Sequence, residues 1–207
     1  MPTGCLLASL LRRMRLSLAL LACASALPSA WAADLVNPIG GVRFEPQLQL
    51  AGQVLLLNGT GLRALLWVKG YAAALYLGQR AGSAEAALAQ PGAKRLQLRL
   101  LIDVPAAEFV KAFRLGLERN NPPGEQARLA ERAARFDALL KPLGELKQGD
   151  AVNLDYLPGQ GLLFSRNGHQ FGEVIPGEDF YAALLRVFVG EHVSDEPLRA
   201  GLLGKPV

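Results

Sequence analysis

Residues 57–77 read LNGTGLRALLWVKGYAAALYL. Arg63 stands just after a Gly-x-Gly pair, and the stretch then runs through small and apolar side chains to Ala-Leu-Tyr-Leu. Asn58-Gly59-Thr60-Gly61 reads as a turn, since glycine supplies the positive φ that turns need. Leu62–Leu77 reads as one or two strands, broken or bulged near Gly70. A lone guanidinium in such surroundings points to the wall of a ligand pocket, because an unpaired charge is costly away from water.

Working outward, Gly40-Gly41 precedes a short strand over Val42–Glu45, and Pro46 separates it from Leu48–Leu50. Ala51-Gly52 is a tight turn into Val54–Leu57. Ser83 caps a short helix to Gln90, ended by Pro91-Gly92. Arg95–Ile102 alternates Leu96, Leu98 and Leu100 with Gln97 and Arg99, the pattern of a strand with one wet face. Pro105 fits a first helical position, and Phe109, Phe113, Gly116 and Leu117 form one stripe down to Asn120. A second helix spans Gln126–Leu140. Strands follow at Ala151–Tyr156, Leu162–Arg166 and, past an Asn167-Gly168 hairpin turn, His169–Val174. The chain closes with a helix over Glu178–Val189, stopped at Gly190, and a short one capped by Ser194. This order predicts an α+β fold: an antiparallel β-sheet covered on one face by α-helices.

The first 32 residues read differently. Arg12, Arg13 and Arg15 form a basic start, Leu16–Leu27 a short apolar core, and Ala30-Trp31-Ala32 a small-residue exit. That is the pattern of a signal peptide cleaved after Ala32, which predicts a periplasmic protein whose single domain is 33–207. An alternative is Leu20-Leu21-Ala22-Cys23, which resembles a bacterial lipobox and would anchor the protein to a membrane through a lipidated Cys23. The whole chain holds 22 basic and 18 acidic residues, and three of the basic ones are the leader's arginines, so the body keeps a net charge of +1. No nucleic-acid footprint is expected from such a balance. Both cysteines, Cys5 and Cys23, lie in the leader, so the body has no disulfide, thiolate nucleophile or cysteine metal site.

His169 and His192 are the two histidines, one beside a hairpin turn and one between helices, with no metal-binding spacing and no nucleophile elbow. Neither a metal nor a cofactor is expected. Asn58–Gly61 lacks the Lys-Ser/Thr of a phosphate loop. Arg63 has two readings. It can be an edge residue with its stem on the sheet and its head in water, or a planar fork that receives a carboxylate, enolate or phenolate at the mouth of an apolar pocket. Trp67, Lys69 and Tyr76 read as sheet packing and surface.

The Gly-x-Gly-x-Arg stretch leading to Tyr-Leu resembles the opening of the chalcone isomerase fold. Phe180–Leu203, FYAALLRVFVGEHVSDEPLRAGLL, resembles that family's terminal helix pair joined by Gly-x-x-x-Val-Ser. The resemblance implies an open-faced sandwich and a ligand-facing role for Arg63, as in both the cyclising enzymes and their fatty-acid-binding relatives. Tyr71 falls near a ligand-side threonine of the plant enzymes, so the resemblance allows it a second polar role beside its reading as a core tyrosine. The plant enzymes' tyrosine and asparagine on the first long helix correspond to Ala106 and Phe113, and their polar residue near the last helix pair to Val187. These three apolar replacements argue against flavonoid cyclisation. The expected function is therefore binding of a fatty acid or similar apolar anion at Arg63, Tyr71, Ala106, Phe113 and Val187. The alternatives are an isomerase or lyase using Arg63 as electrophile, and a structural envelope protein.

Overall fold

The computed structural model describes residues 38–65 and 68–206, all inside one compact unit spanning Asp34–Val207. The segment read as a leader and the side chain of Trp67 lie outside the described residues.

In chain order the strands are β1 (Gln47–Leu50), β2 (Gln53–Leu65), β3 (Val68–Leu77), β4 (Lys94–Leu100), β5 (Val104–Pro105), β6 (Glu145–Leu146), β7 (Ala151–Leu157), β8 (Gly161–Arg166), β9 (His169–Gln170) and β10 (Ile175–Pro176). The helices are α1 (Ala84–Ala89), α2 (Ala106–Asn120), α3 (Pro123–Leu140), α4 (Glu178–Val189) and α5 (Glu196–Leu202). One antiparallel sheet runs β1-β2-β3-β4-β7-β8-β10, with β9 against β8, while β5 and β6 form a small ladder at the foot of α2. The α+β reading and its helix-covered sheet hold.

Strand alternation decides which face the helices cover. Leu96, Leu98 and Leu100 of β4, Val152 and Leu154 of β7, and Leu162 and Phe164 of β8 are buried against Phe113 and Leu117 of α2, Phe136 and Leu140 of α3, and Phe180 and Leu184 of α4. Phe136 sits at the middle of this layer, with its ring centroid 4.7 Å from Phe113, 6.2 Å from Phe164 and 6.4 Å from Phe180. The opposite side chains of β4 and β7 pair across the strands. Arg95 forks onto Asp155 through two hydrogen bonds of 2.6 Å, and Gln97 donates to Asn153. The far side of β2 and β3 is not bare. Leu55, Leu57, Ala72, Ala74 and Tyr76 make a second apolar cluster there under Phe44.

The largest departure from expectation lies at Asn58–Gly61, which is not a turn but the middle of β2. Neither Gly59 nor Gly61 takes a positive φ. They are glycine because α5 lies directly on the strand: a Cβ on Gly59 would strike the Gly201 carbonyl oxygen, and one on Gly61 would come within 2.6 Å of the Leu198 carbonyl oxygen. Asn58 marks a register shift in the β2–β3 ladder. Its buried amide donates to Ala81 and Leu202 carbonyls and accepts from the Ala81 N–H, so the strand's irregularity leaves its polar groups satisfied.

Smaller corrections follow the same logic. Val42–Glu45 makes a single bridge, Ile39 to Val42, instead of a strand. The break or bulge expected near Gly70 is present as a bulge: Arg63 pairs with Tyr71 and Ala64 with Lys69, leaving Gly70 between them. The third late strand stops at Gln170, because Gly172 at φ +71 turns the chain before β10 returns to β8. Pro105 is the residue before the first turn of α2, and α3 starts at Pro123, ahead of the expected Gln126. Asp195, not Ser194, caps α5, its carboxylate accepting from the Leu198 N–H.

Candidate functional site

Gly59, Gly61 and Arg63 are alternate residues of β2, so all three face the helix side of the sheet. The two glycines admit α5. One step further, just beyond the start of that helix, the position carries an arginine that reaches the loop before α5. Its Nη1 donates to the Ser194 carbonyl at 3.1 Å and to Asp195 Oδ2 at 3.0 Å. Asp195 Oδ1 is taken by the α5 cap, so this one carboxylate joins the arginine to the helix N-terminus. Among the described residues, Arg63 Nε and Nη2 have no hydrogen-bond partner.

Tyr71 is the direct cross-strand neighbour of Arg63. Burial pushes its phenol up to about 12, with Arg63 pulling it down and Asp195 pushing it up. The hydroxyl therefore stays protonated at neutral pH and can donate. Arg63 and Tyr71 both line a cavity of about 120 Å³. Its apolar wall comes from Phe109, Ala112 and Phe113, one face of α2, and from Val187 and Phe188 of α4. Gly116 on α2 lets the helices approach there, since any Cβ at that position would collide with the Val187 side chain. Leu154 of β7, Val193 and Leu198 complete the lining with Ser194 and Asp195.

Of the five residues singled out from the sequence, the cavity brings Arg63, Tyr71, Phe113 and Val187 together. Ala106 is not among the lining residues. It lies two helical turns before Phe113, buried at the start of α2, where its N–H donates to the Gly144 carbonyl. The residue that sequence reasoning missed is Asp195. Its position in a Ser-Asp-Glu helix start signals a cap and nothing more. A second, wider groove of about 890 Å³ lies along α1 and the far ends of α2 and α4. Its Arg186 is already held by Glu125 and Asn121, and Arg119 lines the groove as well. His169 and His192 are both exposed, and among the described residues no group of histidine, cysteine or acidic side chains is arranged to hold a metal ion.

A family model described as chalcone isomerase-like matches residues 36–204. Among solved structures, the crystal structure of a fatty-acid binding protein from Arabidopsis thaliana is similar to this chain. The two share 17% identity and a TM-score of 0.63, over 82% of this chain and 95% of that one. At that identity the likeness is one of fold. No curated protein matches the chain in sequence.

Proposed function

The chain belongs to the chalcone isomerase-like family, and from that premise we propose that it binds a fatty acid or similar small apolar acid without transforming it. The observation that carries the reading is a small, mostly apolar cavity lined by Arg63 and by Tyr71 with its protonated hydroxyl, where among the described residues Arg63 Nε and Nη2 have no hydrogen-bond partner. Two donors at one end of a greasy space recognise a head group and leave the tail to fit by shape. The cavity is smaller than the roughly 300–1,000 Å³ of most small-molecule sites, so it suits a short aliphatic tail, and longer acids require the side chains between α2 and α4 to part. The fatty-acid binding protein that shares the fold is consistent with this assignment.

Cyclisation chemistry is less well supported. Apart from Arg63 and Asp195, which are engaged with each other, Tyr71 is among the described residues the one titratable group lining the cavity, and it holds its proton far above neutrality. A general acid or base works best with a pKa near the working pH. Phe113 and Val187 line the cavity without a side-chain donor that could orient a phenolate. Octanoate added to the purified protein in a calorimeter should give a saturable heat, whereas a 2′-hydroxychalcone should cyclise no faster than in buffer. Enantioselective cyclisation would overturn the binder reading in favour of an isomerase, and absence of any heat would favour the structural one.

Export through the Arg-rich leader is part of the same proposal. N-terminal sequencing of protein from the cell envelope should begin at Ala33. Retention of Met1 in cytosolic protein would refute export, and a lipid-modified Cys23 would establish the anchored alternative.

A further inference from the structure

Arg63 does not meet a ligand as a bare cation. Both N–H groups of Nη1 are spent on the Ser194 carbonyl and Asp195 Oδ2, and the Asp195 side chain is only 10% exposed. The carboxylate cannot swing aside freely. Its other oxygen caps α5, and α5 is fixed to β2 through the close contacts at Gly59, Gly61 and Gly201. A ligand therefore meets a neutralised pair, in which the guanidinium's Nε–Nη2 edge is the part without a hydrogen-bond partner among the described residues. That edge still offers hydrogen-bond donors in a planar fork. What it lacks is a net positive charge.

From this geometry, and resting on the binding reading above, we infer that Asp195 determines the head-group specificity of the site: by compensating Arg63 it makes the cavity accept an uncharged hydrogen-bond-accepting head group about as well as a carboxylate. The chemical class is thus wider than fatty acids, taking in amphiphiles that present an amide, ester or ketone carbonyl to the fork and to the Tyr71 hydroxyl. A carboxylate on the free edge would sit across one guanidinium from the Asp195 carboxylate. Two like charges that close disfavour each other, and a mutual effect of one pKa unit equals a tenfold change in affinity. A neutral carbonyl makes the same hydrogen bonds without that penalty. The Ser194 carbonyl, an acceptor already bound to Arg63, adds nothing to the attraction for an anion.

The test compares octanoate with octanamide, which is nearly isosteric and uncharged, by calorimetric titration of the full mature protein and two variants. Asp195→Asn removes the charge at constant shape. Asp195→Ser removes it while keeping a short oxygen to cap α5. In the wild type the two dissociation constants should agree within about fivefold. In both variants the ratio should move about tenfold towards octanoate, the size expected for losing one nearby like charge. A purely structural Asp195 would weaken both ligands together and leave the ratio where it was. That result overturns the inference, as does a wild type that already prefers octanoate by more than about tenfold, a comparison that needs no variant to fold. If the wild type binds neither compound, the binding reading itself fails, and the inference falls with it.

Discussion

Arg63→Ala should weaken octanoate binding roughly tenfold to a hundredfold, the equivalent of the ~1.5–3 kcal/mol that a charge-assisted hydrogen bond contributes. Two effects act in the same direction. The fork is lost, and Asp195 is left facing the cavity without the arginine that compensated it. Arg63→Lys should recover only part of the loss, because an ammonium is a point charge that cannot present two parallel N–H groups. The domain should survive either change. Arg63 is 29% exposed, its ion pair is partly solvated and worth about 1 kcal/mol or less, and the α5 cap is made by the other Asp195 oxygen. Thermal unfolding alongside titration separates the two roles. An edge arginine with no ligand would change stability slightly and leave affinity untouched, and that outcome would remove Arg63 from the site.

Phe136→Ala should be the most destabilising single truncation in the helix layer, at about 3–5 kcal/mol. The ring has no exposed surface and touches aromatic partners from α2, β8 and α4 at once. Removing it leaves a cavity that three different elements would have to move to fill. Domains are stable by only about 5–15 kcal/mol, so this loss should lower the unfolding midpoint by roughly 10 °C. Leu115→Ala is the matching control: Leu115 is 43% exposed on the neighbouring α2, and its truncation should cost within about 0.5 kcal/mol. Comparable midpoints for the two variants would show that Phe136 is not the centre of the core.

Much of this architecture is legible from local pattern. Leu96, Leu98 and Leu100 declare a one-sided strand, and Phe109, Phe113 and Leu117 a one-sided helix, because burial on one face imposes the period of the element. The same stripe carried Phe113 to the cavity. What failed were residues whose reason is distant. Glycine serves turns through its backbone freedom and close packing through its lack of a side chain, and a single sequence does not separate the two uses. Gly59 and Gly61 belong to the second kind, with the helix they accommodate lying well over a hundred positions later. Asp195 is the same case in another form. Serine and aspartate are both good caps, so the local text reads equally well with either, and only the folded contact with Arg63 shows that one carboxylate does two jobs. Ala106 enters the site only through the family resemblance, and in this chain it lies at a helix start two turns from the cavity.

The seating of α5 on β2 also has a bearing on how the protein is made. Asn58 bonds Leu202 across 144 positions and Arg63 bonds Asp195 across 132. Contacts that distant in the chain are the slowest to form, because the loop between them must be closed before they reward it. During synthesis, β2 and β3 emerge early and must wait for the final helix. Until Asp195 and α5 have left the ribosome, the strip of β2 that receives the helix lies open and Arg63 lacks its Asp195 partner. The candidate site is therefore a late product of assembly, and a chain without Ser194, Asp195 and α5 would lose the head-group clamp while the strands it rests on are already made.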